Sequence, residues 1–344
     1  MRIVPQHARS PAAPTSLRST CLPPRPAQPR RALLRAVMVL AFGALLLIPL
    51  AGCRRSGKSQ ASRAPAATAD RDLAGQSPAA PRIVCTVPAV TQILLQIGAA
   101  NDLKGVSTFD APLLPKSLQH LPVIGDYEHI DYETLTALKP TVIIIQMAPL
   151  RVPPALSSFA AAHHAQLLNV SLSSLADIAR ESRLLGRITG RQTQAAAAIA
   201  RMQRQLSQLS AQRPAKSLRV VYLISREPML AVGAHNFQDQ LIRAAGGINI
   251  GARLGSGYPT LNRETLVQLK PQVLVIDAPG SLASQGAGDP RLASFFSLPI
   301  PAAKTGRIYL LTNMKYDLPT LAVGSTARCL HKLFYPSPTA GGAP

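Results

Sequence analysis

Two tyrosine–acid pairs occur in this sequence with the same internal spacing. Tyr127 lies six residues before Glu133, and Tyr258 lies six residues before Glu264. A carboxylate can form charge-assisted hydrogen bonds to a cationic partner, and a phenol ring offers a flat apolar surface with a polar tip. Each pair therefore predicts one acidic and one aromatic contact point. Aromatic residues make up only 4% of the chain, so this paired placement is less expected by chance.

The two pairs belong to a repeat. Residues 130–145 (IDYETLTALKPTVIII) and 261–276 (LNRETLVQLKPQVLVI) are identical at eight of 16 positions, at a constant offset of 131. Asp131 and Asn262 are typical N-caps, and a Lys-Pro step ends each predicted helix. Each copy closes on an unbroken apolar run, which is typical of a strand covered on both faces. The offset is too long for a solenoid repeat and predicts two α/β lobes of similar build.

Strands and helices alternate through the rest of residues 82–336, which predicts parallel sheets. Residues 191–212 carry apolar side chains along one helical stripe, and a helix of this length spans about 33 Å, enough to bridge two lobes. We predict an α/β fold with two Rossmann-like lobes joined by one long backbone helix. The predicted parts are an N-terminal lobe (82–190), the helix (191–213), a C-terminal lobe (214–336) and a tail (337–344).

Residues 1–53 have the features of a lipoprotein signal peptide. Three arginines precede an apolar run of 15 residues, and Leu50-Ala51-Gly52-Cys53 follows it. The run is shorter than the roughly 20 residues of a membrane-spanning helix, and its ending is similar to a bacterial lipobox. We predict export, with Cys53 lipidated as the first mature residue and residues 54–81 as a flexible tether. A transmembrane anchor is the alternative.

The chain is strongly basic, with a formal charge of +21. The leader holds seven of the 37 Lys and Arg residues and none of the 16 acids, which leaves +14 on residues 54–344. This charge favours an anionic ligand or an anionic lipid surface, and solvated basic faces are the alternative. The sequence has no basic helix and no aromatic–basic platform, so nucleic-acid binding is not predicted.

Catalytic and metal-binding patterns are weak. His163 and His164 are adjacent, so a helix would point them apart, and the other histidines lack the spacing of metal ligands. The sequence contains neither a Gly-x-Ser-x-Gly elbow nor a phosphate-binding loop. Cys85 lies in a predicted strand without an evident base. We therefore predict that the protein is not an enzyme and holds no cofactor and no directly bound metal.

Three groups of motifs, in this order, resemble a known family. They are Arg82-Ile83-Val84 with Pro88 to Leu94 and Gly98-Ala99, Leu121 to Gly125 with Glu133 and Leu138-Lys139-Pro140, and Leu184-Leu185-Gly186 with Thr189-Gly190-Arg191. The family is the helical-backbone class of ABC-transporter substrate-binding proteins, which take up vitamin B12, ferric siderophores or haem. The resemblance covers about residues 82–336. It implies two α/β lobes joined by one stiff helix, with the ligand in the cleft between them.

The resemblance also implies roles for particular residues. Family members use one carboxylate on each lobe to meet arginines of the permease, and the matching positions are Glu133 and Glu264. The alternative is that each acid only complements its helix dipole. Ligand contacts are expected from loops at the cleft, where an arginine would face an anionic ligand. The candidates are Phe109, Tyr127, Tyr258, Tyr316 and Arg226.

The sequence departs from the family pattern at two places. Gln92 occupies a helix position where the family often has Glu. The vitamin B12 branch can pair a cysteine of the final helix with one before the Gly-Gly turn, but here Cys329 would face Ala245, so that bridge should be absent.

Together, these features predict a lipid-anchored component of an ABC importer that captures a large metal chelate at the periplasmic or cell-surface face of a membrane. It would deliver the chelate to a permease and its ATPase. A corrinoid is favoured, haem and ferric siderophores remain open, and an exported enzyme on the same scaffold is the alternative from another class.

Overall fold

The structure, a computed structural model, describes residues 80–126, 128–212, 214–279 and 289–336. The predicted leader with Cys53, nearly all of the tether, the tail and Tyr127 lie outside these residues. No helix within the described ranges is both long enough and apolar enough to span a bilayer.

The N-terminal lobe is built on a sheet of four parallel strands in the order β2-β1-β3-β4. Its elements are β1 (Ile83–Cys85), α1 (Pro88–Gln96), β2 (Leu103–Gly105), α2 (Tyr132–Leu138), β3 (Val142–Ile145), α3 (Pro154–Ala162) and β4 (Gln166–Asn169). This alternation matches the sequence prediction. Val123, between β2 and α2, forms only an isolated bridge to Val106.

Two helices lead out of this lobe. They are α4 (Leu175–Ile188) and α5 (Gln192–Ala211). The 20 residues of α5 span about 30 Å, and the predicted stripe is buried at Ala195, Ile199 and Met202. Helix α4 packs closely against α5 because Gly186 has no side chain. A Cβ there would lie only 2.7 Å from the Cβ of Ala195.

The C-terminal lobe repeats the plan with additions. Its elements are β5 (Arg219–Arg226), β6 (Met229–Ala231), α6 (Phe237–Ala244), β7 (Ile248–Asn249), α7 (Arg263–Leu269), β8 (Val273–Asp277), α8 (Ala293–Phe296), α9 (Pro301–Lys304), β9 (Ile308–Leu311) and α10 (Val323–Phe334). The strand order is β6-β5-β8-β9, with β7 also beside β5. The α/β class is confirmed, but β6 runs antiparallel to β5, so this sheet is mixed where the sequence predicted a parallel one.

The repeat predicted from the sequence folds in the same way in both lobes. The Asp131 side chain accepts hydrogen bonds from the backbone amides of Glu133 and Thr134, at 3.0 and 3.1 Å. Asn262 accepts one from the amide of Thr265, at 2.8 Å. Both residues are therefore the N-caps that the sequence predicted.

An arginine closes the other end of each repeated helix. Lys139 and Lys270 end α2 and α7 in the left-handed conformation, with φ of 45° and 49°. Arg82 donates to the Leu138 carbonyl at 2.6 Å, and Arg219 donates to the Lys270 carbonyl at 3.1 Å. These guanidinium groups satisfy carbonyls that a helix end leaves unpaired. The two arginines are 137 residues apart, so the offset of 131 did not reveal them.

Each sheet has an outer and an inner apolar face. The outer faces pack on separate cores, represented by Leu135 in the N-terminal lobe and Leu266 in the C-terminal lobe. The inner faces of both sheets belong to one continuous core, which we call the shared core. It contains Ile83 and Ile144 from one sheet, Tyr222 and Val275 from the other, and Ile199 and Met202 of α5 between them. The two lobes are thus held together by packing as well as by the connecting helix.

Candidate functional site

Two acidic side chains and a tyrosine meet at the carboxyl edge of the C-terminal sheet, where α/β folds usually bind ligands. The Tyr222 hydroxyl, on β5, lies 2.6 Å from a carboxylate oxygen of Asp277, the last residue of β8. It also lies 3.2 Å from Asp317, which follows a 3-10 turn after β9. We call Tyr222, Asp277 and Asp317 the carboxyl cluster.

Burial governs the charge of this cluster. Burial first, and then the negative charge of Asp317, raise the pKa of Asp277 well above its ordinary value. The pKa of Asp317 is also raised, chiefly by burial. Burial and the two acids raise the pKa of Tyr222, so its hydroxyl stays a hydrogen-bond donor. Two carboxylates so close together in a buried site resist carrying two charges. The cluster therefore favours a bound proton and offers both donors and acceptors.

Tyr258 lies beside the carboxyl cluster. Its hydroxyl lies 2.9 Å from the side-chain oxygen of Gln238, and its ring is 42% exposed. The pKa of Tyr258 is raised, first by burial and then by the charges of Asp277 and Asp317. Its loop is held by a hydrogen bond that the Ala231 amide donates to the Pro259 carbonyl, at 2.9 Å. The ring thus stands at the carboxyl edge of the sheet with its hydroxyl anchored.

The other two C-terminal candidates have different surroundings. Tyr316 ends the 3-10 turn that precedes Asp317 and packs half-buried against the shared core. Arg226 ends β5, and its guanidinium approaches the Arg291 carbonyl at 3.5 Å. The structure therefore brings Tyr258 and the turn of Tyr316 to the same pair of acids. Among the described contacts, none joins Arg226 to that pair.

In the N-terminal lobe, Phe109 follows β2 and is 43% exposed. Its neighbour Asp110 is fully buried and accepts hydrogen bonds from the amide and hydroxyl of Ser107, at 2.9 and 2.7 Å. Burial raises the pKa of Asp110. Since these bonds fix the backbone on both sides of Phe109, the ring is held at the surface by a rigid turn.

A cavity of about 530 Å³ opens at the carboxyl ends of β3 and β4. Asn169 shapes it by pairing both polar atoms of its side chain with the backbone of Met147, at 2.9 and 3.0 Å. The remaining lining contains Gln146, two serines (Ser171 and Ser173) and apolar residues, and no charged side chain. This surface suits a ligand with neutral polar groups.

The two predicted docking acids occupy equivalent places. Glu133 and Glu264 are exposed in the first turns of α2 and α7, each two residues after its N-cap. In α2 the neighbouring Tyr132 packs instead on Phe159 of α3, with ring centroids 5.9 Å apart. The acids therefore point to solvent from a fixed helix start in each lobe.

Within the described ranges, no group of three or more His, Cys, Asp or Glu side chains is placed to hold a metal ion. The Cys85 thiol is buried, and burial raises its pKa to about 12, so it carries no thiolate character at neutral pH. Cys329 is likewise buried on α10.

The carboxyl cluster and Asp110 were not predicted from the sequence. Asp277 carried a usable signal, because an acid directly after an unbroken apolar strand marks the carboxyl edge of a sheet. Tyr222 carried none, because a tyrosine within a strand is ordinary. Tyr127, the counterpart of Tyr258, lies outside the described residues.

The chain is similar in sequence to a known family and to known binding proteins. The sequence profile of the family described as "Periplasmic binding protein" matches residues 83–314. The vitamin B12-binding protein of Vibrio parahaemolyticus is 22% identical over 242 residues, which cover 70% of this chain and 84% of that protein. The vitamin B12-binding protein of Pectobacterium carotovorum is 25% identical over 219 residues, 62% of this chain and 77% of that one.

Solved structures show the same architecture. The periplasmic heme-binding protein of Vibrio cholerae aligns with a TM-score of 0.63 and 22% identity, over 74% of this chain and 99% of that chain. The periplasmic vitamin B12-binding protein of the same organism aligns with a TM-score of 0.59 and 19% identity, over 74% and 96%. These proteins are binding proteins and not enzymes, as the sequence predicts for this chain.

Proposed function

Because this chain belongs to the periplasmic binding protein family, we propose that it is the lipid-anchored substrate-binding component of an ABC importer. It would capture a large metal chelate between lobes at residues 82–190 and 214–336 and deliver it to a permease. The proposal rests on one observation. At the carboxyl edge of each sheet, an exposed aromatic ring (Phe109 or Tyr258) lies near polar groups that are uncharged or share a proton.

The electrostatics of these edges favour a corrinoid among the three chelates. Asp277 and Asp317 already resist ionisation, and a ligand carboxylate nearby would add repulsion. A corrinoid presents neutral carboxamides, which can both donate to and accept from a proton-sharing pair and the uncharged cavity at Asn169. Haem presents carboxylates, and many ferric siderophores are anionic. The vitamin B12-binding proteins among the sequence relatives support the same choice.

Docking and anchoring complete the proposal. Glu133 and Glu264 would each meet a permease arginine, since both are exposed acids at the same register of a repeated helix. Cys53, which follows the short apolar run, would carry the lipid and hold the protein at the membrane by residues 54–81. Capture and release then need only binding and lobe movement, without covalent chemistry.

The test is an absorbance titration of residues 54–344 with cobalamin, haemin and a ferric siderophore. Binding of cobalamin in preference to the other two supports the corrinoid proposal. Preference for haemin would indicate that the protein serves haem uptake instead. Binding of none of them would refute the chelate-binding proposal.

Variants assign the site within the same titration. Tyr258→Ala should weaken binding of the preferred chelate by about 1–3 kcal/mol, because it removes an aromatic contact at the interface. Tyr258→Phe should weaken it less, because the ring remains. Tyr132→Ala is the matched control, since that ring packs on Phe159 against the outer core of the N-terminal lobe. Equal binding by the wild type and Tyr258→Ala would place the ligand elsewhere.

A further inference from the structure

At the ends where the strands begin, the charged side chains of the described residues are mainly basic. Where the strands begin, the chain carries Arg82 before β1, Lys139 before β3, Lys216 before β5 and Lys270 before β8. Among the described residues, Asp102 is the only acid in the segments that lead from a helix into a parallel strand, and it is buried. This edge of both sheets is therefore basic.

The opposite edge of the sheets is rich in acids. The segment between β2 and α2 alone contains Asp110, Asp126, Glu128 and Asp131, against one lysine, Lys116. The carboxyl cluster and the two exposed acids of the repeated helices lie at this edge as well. This edge also carries cations, including Lys116, Arg151, Arg253 and Lys315. The two edges thus differ in their acids, which are concentrated at the carboxyl edge, while cations occur at both.

Helix α5 joins the two basic edges. At its start, the Arg191 guanidinium donates to the Gly98 carbonyl at 2.6 Å, in the segment that leads into β2. At its end the chain passes Pro214 into β5. The exposed side of α5 carries Arg201 and Arg204, and the helix contains no acid. The two strand-start edges and the exposed side of α5 together form a surface that we call the underside.

The positive charge of the underside is not balanced by carboxylates. The described ion pairs belong to Arg180, Arg243 and Arg291, and none includes a residue of the underside. Arg82 and Arg219 do bond to helix carbonyls, but a carbonyl does not cancel a full charge. The underside therefore attracts anions from solution.

We propose that the underside binds an anionic phospholipid surface. The cations of the underside, with the buried Asp102 as the single described acid of the strand-start segments, are attracted to anionic lipid within about a Debye length, without a shaped pocket. The position of the chain supports this partner over other polyanions. The described part begins at Ala80, next to Arg82 on the underside, and the predicted lipid-bearing Cys53 lies 27 residues before Ala80. A membrane-held tether would thus enter at the basic surface.

This orientation would leave the ligand-binding edge open to solution. With the underside on the bilayer, the carboxyl edges that carry Phe109 and Tyr258 face away from the membrane, where a ligand can arrive. Docking through Glu133 and Glu264 then requires the protein to leave the lipid and turn over. This sequence of capture and docking depends on the proposed function, but the lipid contact itself does not.

The experiment measures sedimentation of residues 54–344 with vesicles of phosphatidylcholine alone or mixed with phosphatidylglycerol. This part of the chain contains all three cores of the described structure and lacks Cys53, so acyl chains contribute nothing. We expect binding to the anionic vesicles only, and weaker binding as salt screens the charges. Absent binding, or equal binding to both vesicles, would overturn the proposal.

A pair of charge-matched variants locates the contact. The underside variant replaces Lys139, Lys216 and Lys270 by glutamine, together with Lys304, the last residue of α9 before β9. The control variant replaces Lys116, Arg151, Arg253 and Lys315 by glutamine, and all eight residues are exposed. The underside variant should bind the anionic vesicles roughly tenfold or more weakly than the wild type, and the control variant should stay within about twofold. Equal losses would mean attraction by net charge alone and would overturn the assignment.

Two further measurements distinguish lipid binding from the alternative explanations. The underside variant should keep the wild-type circular dichroism spectrum and cobalamin affinity, because its lysines lie away from the carboxyl edges. If soluble polyphosphate bound through the same four lysines as tightly as the vesicles, the underside would be a general polyanion site and the lipid assignment would be wrong. Failure to bind any chelate, with lipid binding intact, would refute the proposed function alone.

Discussion

Replacing Asp277 by asparagine should stabilise the protein at neutral pH and leave its stability at pH 4 unchanged. In the wild type, the Asp277 carboxyl accepts from Tyr222 at 2.6 Å and shares a hydrogen bond with Asp317. An asparagine has the same shape, so its side-chain oxygen can accept from Tyr222 while its amide donates to Asp317. The substitution therefore removes the ionisable group and keeps both contacts.

The sign follows from the direction of the pKa shift. The pKa of Asp277 in the folded protein lies well above the ordinary value of 3.8, mainly through burial. Below about pH 3.8 both the folded and the unfolded chains hold the proton, so the group has no effect on stability. As pH rises from there to the folded pKa, only the unfolded chain ionises. The free energy of unfolding then falls by about 1.4 kcal/mol for each pH unit.

The asparagine variant has no ionisable group at this position, so its free energy of unfolding does not fall in this way at any pH. We expect it to be about 1–3 kcal/mol more stable than the wild type at pH 7, which is the usual cost of leaving a buried polar group uncompensated. Urea unfolding of both proteins from pH 4 to pH 8 measures the difference. A difference that does not depend on pH, or a variant that is less stable at pH 7, would refute the reasoning.

Asp131→Asn provides a control of opposite sign. Hydrogen bonds from Thr134 lower the pKa of this exposed N-cap carboxylate. A lowered pKa contributes stability above the unfolded value, and that stability is lost as pH falls through the folded pKa. This variant should therefore be less stable than the wild type at pH 7, with the difference disappearing in acid. Opposite pH trends in the two variants would show that local burial and bonding, not net charge, set the response.

Three other predictions concern distant parts of the chain. Exchanging Glu133 and Glu264 together for alanine should leave chelate affinity unchanged and reduce uptake, and charge reversal should reduce it further; normal uptake would make both acids simple helix-start residues. Cys53→Ala should release the protein from membranes or block its processing, which fractionation and size would show. Arg219→Met should lower the free energy of unfolding by about 1–2 kcal/mol, since it leaves the Lys270 carbonyl without its donor; an unchanged urea midpoint would show that water replaces the guanidinium.

The fold was accessible from the sequence because its signals are local and repeated. The apolar runs of β3 and β8, the N-caps Asp131 and Asn262 and the buried stripe of α5 each follow from nearby residues alone. The antiparallel β6 was missed because its three residues form a strand only by pairing with β5. A segment that short has no periodicity of its own.

The candidate site was less accessible for a physical reason. Phe109 and Tyr258 were predicted because they lie in loops at matching places of the two lobes, and their contact with a ligand stays a prediction. The carboxyl cluster brings together Tyr222, Asp277 and Asp317, whose separation in the sequence is set by the strand order. Burial, which raises the pKa of these acids, is a property of the packed lobe. The spacing of residues in a single sequence does not reveal this burial.

The shared core has a consequence for the ancestry of the protein. In the repeat, Leu135 and Leu266 are identical, and each packs in the outer core of its own lobe. By contrast, Cys85 and Tyr222 each lie three residues after an equivalent arginine, and both face the shared core. This is the pattern expected when one half-chain is duplicated and fused. The outer side of each half keeps its old neighbours, while the inner side must change to fit the other half. The halves have become obligate partners, and a gene encoding either one alone would produce a chain with an uncovered apolar sheet face.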